Sequence, residues 1–367
     1  MSINHFLALP SLVTCSPCIH GGDVWLHSRG QLPIDFSSNT NPLGPSPKAL
    51  KALRRATRYV HLYPDPKATK LRESIAQLHD ISANSIAVCA GITEILYLLA
   101  KIFIKPGDLA SSIAPTYGEY EAAVLSEGGR FEYVLLNGFE LPIAPLAEKS
   151  EKAKLIFICN PNNPTGTSFK REDLLKLLFE LEGRAILVVD ESYIDFTRLG
   201  ERAHSLIRDA PEMPNLVVLR SFSKSHGLAG LRVGYLAAHP QLIEILERVK
   251  PPWSVSVLAE QAALAALEDQ EHVQQGRRIV FKEKPRLQKL LASKCRLHPY
   301  PSDANFLLVK IRRKDLSSAA LKQLLLQRNI LIRDCSSFQS LGASHIRIAI
   351  KTRSLNNMLL KALVEVL

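Results

Sequence analysis

V-L-R-S-F-S-K-S-H-G-L-A-G-L-R-V-G-Y, residues 218–235, is the stretch that decides the fold of this chain. Its first residues complete a short apolar run, which predicts a buried strand. Ser221 and Ser223 follow, and then a single lysine, Lys224, in a segment broken by glycines. Arg232 comes eight residues after the lysine. The segment therefore predicts a strand that ends in a loop carrying an amine, two hydroxyls and a guanidinium.

Lys224 is a candidate nucleophile. A lysine among small and apolar residues, with a guanidinium nearby, is poorly solvated as an ammonium, so its neutral amine is favoured. A neutral amine attacks a carbonyl to form a Schiff base, while serine hydroxyls and a guanidinium are usual partners of a phosphate. An aldehyde on a phosphorylated ring suits both, and pyridoxal phosphate (PLP) is such a molecule. A solvated surface loop is the alternative for an isolated Ser-x-Lys motif, because short motifs recur by chance.

The composition is that of an ordinary soluble protein. With 367 residues, 46% hydrophobic and 22% charged, the chain is long enough for two domains, or for one large domain with an appendage. The net charge of +11 is compatible with nucleic acid, an anionic surface or small anionic substrates. No run of five basic residues occurs, and the densest cluster, K-A-L-R-R-A-T-R over 51–58, is better explained as a solvated helix face.

The cysteines and the chain start bear on metal binding and location. Cys15 and Cys18 are the only close pair among six cysteines and lack a second pair, so no zinc site is expected. Apolar flanks around Cys89 and Cys159 indicate buried thiols in a reducing compartment. The first residues do not resemble a signal peptide, and no uncharged apolar run of 18 residues occurs, so no membrane span is expected. The cytoplasm is the expected location.

Two strand–helix junctions supply further ligand groups. A predicted strand over 85–91 is followed at Ile92 and Thr93 by a helix, and a helix N-terminus after a glycine is a ready anion site. Any α/β protein has such turns, so this signal alone is weak. After the predicted strand 109–114, Tyr117 opens another helix, where an aromatic side chain can stack on a ring, although packing is its commoner role.

Two buried strands end in polar residues. The predicted strand 154–159 is followed by N-P-N-N-P-T-G over 160–166, and the near-continuous apolar run 184–190 predicts a strand buried on both faces. That strand delivers Asp190 to the carboxyl edge, where open α/β sheets bind ligands. A carboxylate there is costly unless it meets a cation, such as a protonated pyridine nitrogen, and a helix N-cap is the alternative role.

Arginines on short late strands form a further candidate site. After a predicted helix over 257–280, strands are expected over 304–311, 330–333 and 345–350. In H-I-R-I-A-I the isoleucines alternate, so they face the core and Arg347 faces the other way. Arg333 and Arg347 are then suited to bind one carboxylate or phosphate, although each by itself is more simply a surface arginine.

Taken in order, these features resemble the PLP-dependent aminotransferases of fold type I, class I/II, over nearly the whole chain. The resemblance implies an α/β fold with a three-layer large domain, a mostly parallel sheet and a smaller α/β C-terminal domain. It implies an N-terminal arm (1–45) packing on the small domain, a large PLP-binding domain (46–253) and a small domain (254–367). A homodimer with the active site at the subunit interface is expected, with a small phosphorylated amino-acid substrate and neither nucleic acid nor membrane as partner.

The resemblance also implies roles for individual residues. Lys224 is the Schiff-base lysine, Asp190 pairs with the pyridine nitrogen, and Tyr193 with Asn163 reaches the phenolic oxygen of the ring. Tyr117 stacks on the ring. The phosphate is held by Ile92, Thr93, Ser221, Ser223, Arg232 and, from the partner subunit, Tyr63. The substrate is bound by His20, Gly21, Asn39, Asn163, Arg333 and Arg347.

Within the family, four motifs resemble the threonine-phosphate decarboxylases of cobalamin biosynthesis: H-G-G (20–22), F-S-S-N-T-N-P-L-G (36–44), P-W-S-V (252–255) and I-L-I-R-D-C (330–335). This resemblance implies decarboxylation of O-phospho-L-threonine to (R)-1-amino-2-propanol O-2-phosphate. The segment S-H-G-L-A-G after Lys224 is closer to the aminotransferases, so a histidinol-phosphate or related aminotransferase is the alternative. A PLP-binding transcription regulator is disfavoured, because only about 30 residues precede the motifs, too few for a DNA-binding domain.

Overall fold

A seven-stranded sheet forms the centre of the larger part of the molecule. The structure, a computed structural model, describes residues 17–28, 30–136, 138, 140–149 and 151–367. In spatial order the strands of this sheet are β2 (Ile86–Cys89), β8 (Gly234–Ala238), β7 (Leu216–Ser221), β6 (Ile186–Asp190), β5 (Ala153–Cys159), β3 (Leu109–Ala114) and β4 (Arg130–Leu135). Only β8 runs antiparallel to its neighbours. The carboxyl ends of the other six strands therefore lie along one edge.

Helices cover both faces of this sheet, which confirms the predicted three-layer α/β fold. Alternate strand residues face opposite sides, so Val188 and Val189 belong to separate apolar cores. Helices α2 (Thr69–His79), α6 (Arg171–Glu180) and α8 (Val257–Leu267) pack on one face, and α3 (Ile92–Phe103), α4 (Glu119–Ser126) and α7 (Pro240–Val249) pack on the other. Helix α1 (Pro47–Ala56) packs against α8, and α5 (Ile143–Lys149) packs against α6.

A second, four-stranded antiparallel sheet lies in the C-terminal part. Its order is β12 (Arg333–Asp334), β13 (His345–Ala349), β10 (Phe306–Lys310) and β9 (His298–Pro299). It shares an apolar core with α9 (Gln270–Lys294), α10 (Ser318–Leu326) and α11 (Arg353–Val366). Strand β1 (Ile34–Asp35) pairs in parallel with β11 (Ile330–Leu331), which attaches residues near the chain start to this part. The domain boundaries expected from the sequence stay a prediction.

Two predicted elements of the last third were wrong as single units. The helix predicted over 257–280 is two helices, because Asp269 takes φ −105° and ψ 54° between them and begins the second one. Aspartate is a favoured residue at that position. The strand predicted over 330–333 divides into β11 and β12, which pair with different partners, β1 and β13. None of the described helices is long and apolar enough to cross a membrane.

Candidate active site

The carboxyl edge of the large sheet opens into a cavity of about 770 Å³. A cavity of this size can hold a cofactor together with a small substrate. Residues that are far apart in the chain meet here because the loops after β2, β3, β5, β6 and β7 share this edge. The sequence-predicted site residues that line the cavity are His20, Gly21, Asn39, Ile92, Thr93, Tyr117, Asn163, Asp190, Tyr193, Ser221, Ser223, Lys224, Arg232, Arg333 and Arg347.

Asp190 is a buried carboxylate at the end of β6. Its Oδ2 accepts a hydrogen bond from Tyr120 Oη at 2.8 Å, and its Oδ1 accepts from Ser192 N at 3.0 Å and Ser192 Oγ at 2.6 Å. Burial raises the pKa of Asp190, although these hydrogen bonds act in the opposite direction. The charge of Lys224 also lowers this pKa, but the side chains that hydrogen bond to the carboxylate, Tyr120 and Ser192, are neutral. The site therefore suits a cationic ligand group, and a pyridinium nitrogen meets that requirement.

Lys224 and Tyr193 lie beside each other in the cavity. Lys224 Nζ is 5.6 Å from the centroid of the Tyr193 ring. The backbone of Lys224 is fixed, because its carbonyl accepts from Asn41 N at 2.8 Å and from Gly227 N at 3.2 Å. A lysine amine on a fixed backbone, facing the same cavity as Asp190, is placed to bond to a carbonyl group there.

A cradle for an anion forms where α3 begins. Gly91 has φ +85°, and a Cβ atom on it would lie 2.8 Å from Arg232 Nη2, so the guanidinium packs directly over the glycine. The free N–H groups at Ile92 and Thr93 open the helix at this point. Ser221 and Ser223 line the same cavity, where Ser221 Oγ accepts from Ser223 N at 3.1 Å. Hydroxyls, a guanidinium and a helix N-terminus together fit a phosphate.

Aromatic and amide side chains lie between Asp190 and the anion cradle at the start of α3. Tyr193 Oη accepts a hydrogen bond from Asn39 Nδ2 at 3.3 Å, and Asn39 Oδ1 is buried without a partner among the described residues. Tyr117 meets the Tyr120 ring edge-on at 5.5 Å, and burial raises its pKa, so it stays a neutral phenol. An aromatic plane, a phenol and an unpaired buried amide oxygen suit a flat polar ligand.

Arg333 and Arg347 lie directly opposite each other on β12 and β13. Arg347 donates to the Asn163 Oδ1 and, at 2.6 Å, to the Ser37 carbonyl, while its Nε is buried without a partner among the described residues. Burial, followed by the charge of Arg347, lowers the pKa of Arg333. Two buried like charges side by side favour an anionic ligand between them.

His20 is held at the rim of the cavity. Arg333 donates to the carbonyl oxygens of Ile19 at 2.6 Å and His20 at 3.1 Å. The His20 ring contacts Glu119 instead of a free anion site, with Nε2 2.7 Å from Oε1. Gly21 is required by packing, because a Cβ atom there would lie 2.8 Å from the Ser37 carbonyl oxygen.

Tyr63 alone lies outside the cavity lining. Tyr63 is 79% exposed, and its ring lies tilted against that of Trp253, with 4.5 Å between the ring centroids. Within one chain, therefore, Tyr63 does not reach the predicted phosphate cradle.

Several residues of the site were not predicted from the sequence. Tyr120 and Ser192 both bind Asp190, and Lys351 donates to the Ser38 carbonyl at 3.4 Å and Thr40 Oγ1 at 3.3 Å. Ser192 carries a usable signal, because a serine two residues after a strand-end aspartate closes a local turn. Tyr120 and Lys351 carry none, since tertiary packing brings them to the site.

The fold and these residues define a PLP-dependent enzyme of fold type I. The chain matches the family model of aminotransferase class I and II over residues 33–363 and belongs to that family. It is 37% identical over 335 residues to a histidinol-phosphate aminotransferase of Moorella thermoacetica, covering 91% of this chain and 85% of the relative. A solved histidinol-phosphate aminotransferase of Sinorhizobium meliloti in complex with PLP superposes with a TM-score of 0.90 at 25% identity, covering 99% and 98% of the two chains. PLP is the cofactor of this enzyme.

These comparisons correct the expected activity. Relatives at 32–37% identity are histidinol-phosphate aminotransferases, so the expected phosphothreonine decarboxylase activity is not supported. A solved L-threonine-O-3-phosphate decarboxylase of Porphyromonas gingivalis superposes with a lower TM-score, 0.78, at 28% identity over 90% of this chain and 98% of that one. Of the motifs that suggested decarboxylation, residues 20–22, 37–40 and Arg333 line the cavity, and such anion-binding residues do not by themselves select which bond is broken.

Proposed function

We propose that this enzyme transfers an amino group between histidinol phosphate and a 2-oxo acid. The observation that carries the proposal is the pair of buried arginines in register, Arg333 and Arg347, within the cavity that also holds Lys224 and Asp190. Both partners of such a transfer are anionic, one through a phosphate and one through a carboxylate. The similarity to histidinol-phosphate aminotransferases supports the same substrate.

The reacting groups are Lys224, Asp190 and Tyr193. When bound, PLP supplies an electron-withdrawing ring that stabilises negative charge at the substrate carbon bearing the amine. Lys224 would hold the cofactor, and its free amine would serve as the acid and base for the proton at that carbon. Asp190 would keep the pyridine nitrogen protonated. Tyr193, Asn163 and Tyr117 would hold the ring, the first two through hydrogen bonds and Tyr117 through its aromatic plane.

The cofactor phosphate is held at the start of α3 in this proposal. The backbone N–H groups of Ile92 and Thr93 and the hydroxyl of Thr93 would donate hydrogen bonds to the phosphate, and the guanidinium of Arg232 would pair with it. Ser221 and Ser223 add hydroxyl donors. Tyr63 of the partner subunit completes the cradle in a homodimer, and the exposed aromatic pair of Tyr63 and Trp253 supports an association surface at that point.

The substrate is held by the arginines and the N-terminal segment. Arg347 and Arg333 anchor the phosphate or the carboxylate, and Asn39, whose Oδ1 is buried without a partner among the described residues, orients the rest. His20 and Gly21 form the rim that covers the bound substrate.

An assay of the holoenzyme with histidinol phosphate and 2-oxoglutarate tests the proposal. We expect glutamate to form, and we expect histidinol, which lacks the phosphate, to react with a kcat/KM about 30- to 1,000-fold lower. A parallel reaction with phosphothreonine and no oxo acid should release no CO₂. Release of CO₂ in that reaction, together with no amino transfer from histidinol phosphate, would overturn the proposal.

A further inference from the structure

Three potential metal ligands meet at the rim of the cavity. The Cys18 Sγ, a ring nitrogen of His20 and a carboxylate oxygen of Glu119 all lie within 4.8 Å of one another. Within the described part of the chain, no other three His, Cys, Asp or Glu side chains converge in this way. We propose that Cys18, His20 and Glu119 bind Zn²⁺, with the fourth position left to water or an incoming ligand.

The donor types and their spacing suit zinc. One thiolate, one imidazole and one carboxylate are all accepted zinc ligands, with bonds of about 2.3, 2.0 and 2.0–2.2 Å. In a tetrahedral arrangement the nitrogen and oxygen ligands lie about 3.3 Å apart. His20 Nε2 and Glu119 Oε1 are 2.7 Å apart, so they must separate by about 0.6 Å. The His20 side chain is 47% exposed and has room to make this movement.

The ligands are already positioned by the fold. Arg333 fixes the backbone at Ile19 and His20, and Gly22 N donates to Ser37 Oγ at 2.8 Å. Cys18 Sγ lies 2.8 Å from the place where a Cβ atom on residue 118 would stand, so Gly118 leaves the space that the sulfur occupies. Preorganised ligands bind an ion with a smaller entropic cost than mobile ones.

The surrounding charges are mixed. Burial, followed by the Glu119 carboxylate, raises the pKa of the Cys18 thiol to about 11, while the charge of Arg333 lowers this pKa and the charge of Glu121 raises it. Arg333 opposes a cation but also stabilises a thiolate, while Glu121 favours the cation. The site can therefore accept one divalent ion without leaving a large excess of charge.

A bound ion would fasten residues 18–20 to the start of α4. Because Cys18 and His20 line the cavity, this crosslink restricts the entrance, and zinc is expected to inhibit turnover reversibly. Sequence spacing gave no sign of the site, since 99 residues separate His20 from Glu119. Zinc binding by these three residues does not depend on which amine is the substrate of the enzyme.

Zinc binding to the holoenzyme tests this inference. Metal is first removed with a chelator, and substrates are omitted because amino acids and phosphates bind zinc themselves. Equilibrium dialysis should give one zinc per chain, and X-ray absorption at the zinc edge should show one sulfur at about 2.3 Å. Cys18→Ser and Glu119→Gln should each weaken binding by about tenfold or more, while Cys295→Ser, which alters a thiol elsewhere in the chain, should leave it unchanged.

Folding and inhibition are followed with the same variants in separate samples, and in the turnover samples the free zinc concentration is set with a metal buffer because the substrates bind zinc. The visible absorption of bound PLP shows whether each variant retains its site. The ratio of turnover with and without zinc should fall well below one in the parent enzyme and approach one in Cys18→Ser. Zinc binding that Cys18→Ser leaves intact, or a zinc environment without sulfur, would overturn the proposal.

Discussion

Asp190 depends on a positive partner, because its carboxylate is buried and its described hydrogen-bond donors are all neutral. Replacing it with asparagine preserves the shape and the acceptor for Ser192 but removes the negative charge. We expect Asp190→Asn to retain the fold and most of the PLP affinity, and to lose at least about 100-fold in kcat. The matched variant Ser192→Ala, which keeps the charge, should lose much less. Near-normal turnover in Asp190→Asn would show that the carboxylate does not pair with the ring nitrogen.

Lys224 is expected to carry the cofactor. Borohydride reduction of the holoenzyme should abolish the visible absorption and fix the PLP label on one peptide, the one that contains Lys224. The variant Lys224→Ala should bind PLP without this covalent label and should have no measurable amino transfer, because the amine that moves the proton is gone. Peptide mass spectrometry makes the assignment, and a label on a different lysine would contradict it.

For individual residues, the sequence predicted which side chains meet at the carboxyl edge of the large sheet. Asp190, Lys224 and Arg232 follow buried strands, so their convergence follows from strand direction. Arg333 and Arg347 were expected on neighbouring short strands, and they are paired in register on β12 and β13. Their role as substrate ligands stays a prediction. Glu119 could not be linked to Cys18 and His20, because no periodicity joins a helix start to an irregular N-terminal segment.

The N-terminus of α3 depends on a glycine at position 91, directly before the helix. Alanine there would strain a backbone at φ +85° and push against the Arg232 guanidinium. We expect Gly91→Ala to weaken PLP binding by about tenfold or more, since it displaces one phosphate donor. Gly107→Ala is the matched control, because Gly107 has φ +87° but no atom within 4 Å of an added Cβ. Reconstitution of the apoenzyme with PLP measures both, and equal losses would attribute the effect to backbone strain alone.

Glu283 joins two helices of the C-terminal part. It lies on α9 and accepts from Arg353 Nε at 2.9 Å and Asn356 Nδ2 at 3.1 Å on α11, as well as from Arg286 on its own helix. Burial acts to raise its pKa, but these hydrogen bonds lower the pKa of Glu283 to about 2. A carboxyl with a depressed pKa stabilises the fold above its unfolded pKa of about 4.3, and this contribution is lost as the pH falls toward 2.

Glu283→Gln should therefore destabilise the protein at neutral pH by about 1–3 kcal/mol, because two guanidinium partners lose their charge complement. Thermal unfolding of the holoenzyme at several pH values measures the effect. The difference in Tm from the parent should shrink between about pH 5 and pH 2. Glu271→Gln, which removes an exposed pair with Arg278, should have little effect at any pH. A difference that is independent of pH would show that the charge of Glu283 is not the cause.

Strands and helices were predicted best where burial determines the spacing of apolar residues along the chain. Strands β2, β3, β5, β6 and β7 of the large sheet are short apolar runs, and they lie close to where they were expected, whereas β4 and β8 were not predicted. The region 257–280 is rich in helix formers on both sides of Asp269, and one aspartate does not distinguish the start of a second helix from a position inside a longer one. Ile332, between β11 and β12, is apolar, so its residue type does not indicate a division of the strand. The division is explained by pairing, because β11 pairs with β1 and β12 pairs with β13.

On the scale of the whole molecule, Tyr63 is the predicted site residue that lies apart from the cavity. Tyr63 is exposed beside Trp253, and exposed apolar side chains at Val60 and Leu62 extend the same surface. A patch of this kind is typical of an interface between subunits. A single sequence cannot show which residues cross such an interface, because the contacts made within one chain do not contain them.

Mixed dimers of two inactive variants test whether Tyr63 acts across the interface. Tyr63→Ala and Lys224→Ala should each have little activity as homodimers. When the two are refolded or co-expressed together, a mixed dimer contains one site with an intact Lys224 and an intact Tyr63 of the partner subunit. Random pairing should then restore about a quarter of the parent activity, because half of the dimers are mixed and each has one complete site. If Tyr63 instead serves its own chain, the site with Lys224 always lacks Tyr63, and mixing restores nothing.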